Sequence, residues 1–321
     1  MLLPMRWTTR HVAAAFLGVV WLAAPGCSRR DGAAGDPPPT VASDAPASDD
    51  AAAAPLPGPD AFGTAERPIE PPSPLPGAEA NVPEAIEFTG ADGVTIHAGL
   101  WRTGDPEAPA VVFVHQARSD RSEWEPFIRE LRARAPGLTV LALDLRGHGA
   151  STRAGDVNLR WQDFNSGDGP GLRRWASCTT DVQAAVSWLR RREEGSIPRA
   201  IGLVGSSIGS TSVLRAAAND GVAGPGRIAA VVAISPGMSY FSVPIRSALE
   251  TLKVRSVPVL AVGARDDTND VAGTTQEMVT ILAENLQVQL YDDGGHGVAI
   301  AGPHPEAIGV VIDFLKARLG F

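Results

Sequence analysis

The chain has 321 residues, a formal net charge of −8, 34 glycines, 27 prolines and two cysteines. That length admits one large domain or two small ones, but the composition is uneven, so length overcounts the folded part. The mildly acidic balance, with no basic block, argues against nucleic acid as a partner.

Arg6, Arg10 and His11 precede thirteen uncharged, mostly apolar residues, 12–24, followed by Pro25, Gly26 and Cys27. A membrane-spanning helix needs about 20 such residues. Residues 1–27 therefore read as an export signal, with a short uncleaved anchor as the rival. The segment resembles a bacterial lipoprotein signal, with small residues just before Cys27. The resemblance implies lipidation of Cys27, and ordinary signal-peptidase cleavage nearby is the alternative. The expected location is the cell envelope, lipid-anchored at Cys27 or else periplasmic or secreted. Ser28 carries no retention signal of the Asp type, which favours the outer membrane. With Cys27 acylated, Cys178 is the remaining thiol and is expected to be a small buried filler.

Residues 28–80 read as a disordered tether. Positions 31–80 alone hold twelve prolines and nine acidic residues against one basic residue, Arg67. Such a stretch cannot bury a core. The folded domain is placed at 81–321, with no internal repeat of fixed period.

Within it, 86–89 and 94–101 flank the turn Ala91-Asp92-Gly93 and predict an antiparallel pair. Residues 110–114 read as a buried strand, 122–134 as a helix with Trp124, Phe127, Ile128 and Leu131 on one face, and 138–143 as a strand. A helix around 181–192 leads to the strand 200–204, and a helix follows from 210. Strands at 228–234, 257–262 and 286–291 and a closing helix at 305–319 complete an α/β pattern. It predicts about eight strands in a mostly parallel sheet with helices on both faces and no large lid. Ligands in such sheets gather at the carboxyl ends of the strands.

Gly205, Ser206, Ser207, Ile208 and Gly209 spell Gly-x-Ser-x-Gly between a strand and a helix. Reversing direction within one residue strains that residue, and flanking glycines remove colliding Cβ atoms. A serine hydroxyl becomes an effective nucleophile only when a base takes its proton, and that base needs an orienting carboxylate. His296, between Gly295 and Gly297 beyond 286–291, supplies the base. Asp266 and Asp267, beyond 257–262, supply carboxylates, with Asp270 and Asp293 as further candidates.

The order Ser, Asp, His, each at a strand's carboxyl end, resembles the α/β-hydrolase superfamily. So do Phe113-Val114-His115-Gln116, ahead of an oxyanion loop, and the Asp-x-Arg-Gly-x-Gly turn within 142–151. The missing insertion between Ile234 and Pro258 makes the lidless dienelactone hydrolase branch the most similar. The resemblance implies Ser207 as nucleophile, His296 as general base and Asp266 as orienting acid, because Gly263 to Asp266 matches the family's Gly-x-x-Asp. It implies an oxyanion hole from the N–H groups of Ile208 and Ala117. Gln116 stands where the family has Gly, and is a further candidate through its own amide or its side chain.

Ser206, His115 and His148 read as structural, His97 and His304 as ordinary strand or surface histidines, and Asp144 with Arg146 as a pair bracing the turn. Trp161 and Trp175 suit either packing or a pocket wall. No zinc-type spacing or phosphate loop appears, so no metal or cofactor is expected. The expected activity is carboxylic ester hydrolysis through an acyl-enzyme on a small ester-type substrate. Thioesterase, lactonase and peptidase chemistry are alternatives, the last disfavoured by Ser210 after the motif. A non-catalytic envelope lipoprotein that keeps the fold as a binding module is the alternative from another class.

Overall fold

The computed structural model describes residues 82–191 and 196–321. The export signal, Cys27 and the tether 28–80 lie outside the described residues. The chain enters through an antiparallel pair, β1 (Glu84–Thr89) and β2 (Val94–Trp101). Their turn closes through Gly90 N–H to the Val94 carbonyl at 2.9 Å, with Gly93 at a φ of 80° that favours glycine. Alternation of strand and helix follows: β3 (Ala110–Val114), α1 (Glu125–Arg134) and β4 (Thr139–Leu143). Two short edge strands, β5 (Arg153–Ala154) and β6 (Val157–Asn158), precede α2 (Cys178–Arg191), β7 (Ile201–Ser206), α3 (Ile208–Asn219) and β8 (Ile228–Ile234).

Where a larger insertion could stand there is a small hairpin, β9 (Ser239–Tyr240) with β10 (Val243–Pro244), then α4 (Arg246–Val254). The chain closes with β11 (Val259–Ala264), α5 (Val271–Leu282), β12 (Leu286–Tyr291) and α6 (Glu306–Leu319). The main sheet runs β12-β11-β8-β7-β3-β4-β2-β5-β6, with β1 on β2. From β12 to β4 every pairing is parallel, and β2 turns the edge antiparallel. The expected architecture is observed, with the short β5 and β6 as additions.

Period-two alternation divides the core. Val112 and Val114 of β3 face a layer formed with α2, α3, α4 and α5, while Val111 and Phe113 face a layer formed with α1 and α6. In α1 the apolar positions Phe127, Ile128 and Leu131 follow helical spacing on one buried face. Each such side chain contributes about 1.5–3 kcal/mol through burial. Pro126 lies in the first turn of α1, where the missing N–H costs nothing. Gly320, left-handed at φ 73°, ends α6 by donating to the Lys316 carbonyl. Cys178 is fully buried, and burial pushes its thiol up, which suits a filler.

The turn after β4 differs from expectation. Asp144 and Arg146 do not pair. Asp144 accepts from Arg121 Nη1 at 2.5 Å and from the N–H groups of Arg121 and Ala150 at 2.9 Å. Arg146, wholly buried, donates to Asp181 at 2.6 Å, Asp92 at 2.7 Å and the Thr180 hydroxyl at 2.6 Å. Burial opposes the charge on Arg146, and the attraction of Asp181 with its hydrogen bonds outweighs it. Gly147 and Gly149 follow because a Cβ at the first would lie 2.7 Å from the Trp161 nitrogen, and at the second would collide with the Asp144 carboxylate.

Candidate active site

Ser207 lies between the last residue of β7 and the first of α3, with φ 54° and ψ −119°. This conformation is costly for a residue with a Cβ and persists only where the surroundings impose it. Here they do. A Cβ on Gly205 would come 2.7 Å from the Ser210 nitrogen, and one on Gly209 would come 2.7 Å from the His115 carbonyl. The glycines let the turn fold back on α3 and let α3 approach the end of β3. The turn is fastened by Ser207 N–H to the Ile234 carbonyl at 3.0 Å and by the Ser210 hydroxyl to the Ser207 carbonyl at 2.6 Å. Ser210 is thus part of the elbow. Ser206 is fully buried beneath it, as its structural reading requires.

His296 sits on the loop after β12, with Gly295 and Gly297 left-handed at φ 66° and 68° on either side. Its Nδ1 lies 2.7 Å from Oδ2 of Asp267, which fixes the tautomer: Nδ1–H donates and Nε2 keeps a free lone pair. The expectation of Asp266 in this place is corrected. Asp267 is the buried member of the pair, at the first bend after β11, while Asp266 is exposed and accepts from Gly295 N–H at 2.9 Å and Gly294 N–H at 3.3 Å. Asp266 braces the loop that carries His296. The other candidates are engaged elsewhere. Asp270 caps α5 through Gly273 N–H, and Asp293 meets His304 at 2.7 Å.

Burial acts to raise the Asp267 carboxyl, but hydrogen bonds from the Asn269 backbone and side chain, then His296, outweigh it and hold it below the usual carboxylate range. The Asn269 bonds measure 3.0 and 2.9 Å, both to Oδ1, leaving Oδ2 for the histidine. An ionised carboxylate there orients the ring and stabilises the imidazolium formed when Nε2 takes a proton.

Two residues that sequence reading missed join these parts. Ser235, left-handed at φ 45° just beyond β8, accepts Gly297 N–H on its hydroxyl at 2.8 Å and the Tyr240 hydroxyl on its carbonyl at 2.9 Å. Tyr240, from the small hairpin, lies close to the Ser207 side chain and meets the His296 ring edge-on at 6.0 Å. Burial, with the nearby negative charge of Asp267, pushes its phenol up and keeps it protonated. No motif marked either residue, because both act through the closure of the fold.

The oxyanion candidates divide. Neither Ile208 N–H, at the start of α3, nor Ala117 N–H has a hydrogen-bond partner among the described residues. Gln116 N–H is not free: Oε1 of Glu123 takes it at 3.1 Å, which corrects the expectation of that amide as a donor. Oε1 of Gln116 is buried without a partner and abuts Gly297. His115 is wholly buried, and burial pushes its imidazole down to about 3, so it is neutral. Its Nε2 accepts Leu145 N–H at 2.9 Å, so Nδ1–H donates to the Gln116 carbonyl at 2.6 Å. That carbonyl and the Ala117 N–H belong to one planar trans peptide, so holding the oxygen turns the N–H the opposite way.

Beside this loop is an open cavity of about 450 Å³, bordered by Arg118, His148, Arg160 and Trp161. Trp161 lies between His148, stacked at 5.9 Å, and the Arg118 guanidinium at 5.6 Å, so it both packs and borders the cavity. Trp175 is buried and stacks on Phe241 at 4.1 Å, a packing role. No three His, Cys, Asp or Glu side chains cluster to hold a metal ion among the described residues.

The elbow at the carboxyl end of β7, the parallel sheet and the strand order define the alpha/beta hydrolase fold. A family profile for that fold matches residues 109–254. Solved structures similar to this chain include the Pyrococcus furiosus esterase Pf2001, at 20% identity over 76% of this chain and 93% of that one, with a TM-score of 0.59. A putative aryl esterase from Burkholderia cenocepacia is 19% identical over 74% of this chain and 100% of its own, TM-score 0.54. An esterase from Exiguobacterium antarcticum is 12% identical over 73% and 100%, TM-score 0.52. No curated protein matches the chain in sequence.

Proposed function

We propose that the protein is a serine hydrolase that cleaves small carboxylic esters through an acyl-enzyme on Ser207, with His296 as general base and Asp267 as the orienting acid. The observation that carries this reading is the 2.7 Å contact of His296 Nδ1 with a buried carboxylate, which leaves Nε2 as the basic nitrogen. The esterases among the structural neighbours support the same class.

In the proposed cycle, Ser207 Oγ attacks the ester carbonyl as its proton passes to His296 Nε2. The tetrahedral oxyanion accepts from Ile208 N–H and Ala117 N–H, each worth roughly a hundredfold to a thousandfold in rate. His296 returns the proton to the departing alkoxide, and water repeats the sequence to release the acid. The same proposal keeps the enzyme at the cell envelope, tethered through Cys27.

Turnover of p-nitrophenyl butyrate by wild type, Ser207→Ala and His296→Ala tests the reading, with rates near background expected for both variants. A panel of thioesters and lactones separates the rival substrates. Equal rates in all three proteins, or failure of a fluorophosphonate to label Ser207, would favour a binding module.

A further inference from the structure

The two peptides on either side of Gln116 are each held by a side chain, and one of the two holds is a carboxylate. Glu123 lies on the helical turn Arg121–Trp124, and its Oε1 accepts Gln116 N–H at 3.1 Å. Oε2 of the same carboxylate is buried without a hydrogen-bond partner. The turn is itself immobilised. Asp120 caps it by accepting Ser122 N–H at 2.8 Å, Arg121 is tied to Asp144, and Trp124 is fully buried between Phe113 and Phe127. On the inner side, His115 holds the next carbonyl, that of Gln116. Two consecutive peptide planes are thereby set, one by Glu123 and one by His115, and the second carries the Ala117 N–H.

We infer that Glu123 is a positioning residue of the oxyanion hole, acting through Gln116 to aim the Ala117 N–H at the developing negative charge. This rests on the ester-hydrolase reading above. A carboxylate accepts a hydrogen bond about twice as strongly as a neutral group, so ionised Glu123 holds the loop more firmly than protonated Glu123. Burial lifts its carboxyl to about 7, against the bond from Gln116 N–H and with some help from the charge of Asp120. The other ionisable groups around it do not offset this: His115 is neutral, and Arg121 is paired with Asp144. The loop therefore tightens as pH rises through neutrality.

Glu123→Gln keeps an acceptor for Gln116 N–H and removes the ionisation, and Glu123→Ala removes both. Hydrogen exchange at the Gln116 and Ala117 amides reads the hold whether or not an ester turns over, and kcat against pH reads its catalytic effect. Glu123→Ala is expected to lose protection at Gln116 and to lower kcat about tenfold or more with KM little changed. Glu123→Gln is expected to recover part of that kcat, and to lack the extra steepness that protonation of Glu123 adds to the acid limb of log kcat in wild type. Unchanged protection in Glu123→Ala overturns the inference outright, as do a kcat within twofold of wild type and equal slopes. Lost protection in a protein whose wild type neither turns over p-nitrophenyl butyrate nor labels with a fluorophosphonate overturns the hydrolase reading, and with it the catalytic role of the hold.

Discussion

Asp267 and His296 are 29 positions apart in the chain, and their side chains meet at 2.7 Å, while Asp266, one residue nearer the strand, turns away to the backbone of Gly294 and Gly295. Two adjacent carboxylates thus serve one loop differently: one holds the imidazole, the other holds the glycines that carry it. Asp267→Asn is expected to lower kcat for p-nitrophenyl butyrate by about three to four orders of magnitude, since the ring loses its tautomer and its counter-charge. Asp266→Asn is expected to cost about tenfold or less. The comparison of the two kcat values decides between them, and the reverse ranking would reinstate Asp266.

Gly209→Ala tests the close approach of α3 to β3. The added methyl meets the carbonyls of Val114 and His115, which are backbone and cannot move aside. The expected cost is about 3 kcal/mol, as for an overpacked core site. In a domain of this size that lowers the melting temperature by roughly 6–12 °C, measured by thermal unfolding at fixed pH.

Asp181→Ala strands the Arg146 guanidinium in a site with no exposure to solvent. Removing one partner of a buried pair costs about 3–5 kcal/mol. Arg146 retains Asp92 and Thr180, so the lower end is expected. Urea unfolding of the variant against wild type provides the measure.

Glu123 also makes stability depend on pH. Its folded-state value of about 7 lies above the ordinary 4.5, so the folded protein holds a proton that the unfolded chain releases. That contribution is complete below about 4.5 and is lost as pH rises through about 7. Glu123→Gln lacks the loss, so its stability relative to wild type should climb between pH 5 and 8, by on the order of 2–3 kcal/mol. Urea midpoints at those two pH values check the sign, and a constant difference would refute the assignment.

Much of the frame was legible because it is written in local pattern. The apolar runs of β3, β4 and β8 and the spacing of Phe127, Ile128 and Leu131 fix strands and helix without reference to the rest of the chain. The elbow was legible because Gly205 and Gly209 answer to steric collisions within a few residues of Ser207 and with the neighbouring strand. The choice between Asp266 and Asp267 was not, since it depends on which of two carboxylates a bend turns inward, and Gly-x-x-Asp spacing carries no such information. The Asp144 and Arg146 pairing failed for a related reason. The chain turns at Arg146, so its side chain leaves Asp144 behind, and the partners the two find, Asp181 and Arg121, are brought there by other elements. Tyr240, Ser235 and Glu123 left no signal, because their partners are reached only once β8, the hairpin and the loop after β3 have closed together.

The hairpin has one more implication. Phe241 and Ser242 both take left-handed backbone at its tip, Phe241 stacks on Trp175, its carbonyl receives Gly167 N–H at 2.8 Å, and Tyr240 beside it lies close to Ser207. The hairpin beside Ser207 is therefore riveted to the body of the domain by aromatic stacking and a main-chain bond, and no hinged flap stands over it among the described residues. Catalysis on dissolved monomers should rise hyperbolically with ester concentration and show no jump when the substrate passes its solubility limit and an oil–water boundary appears.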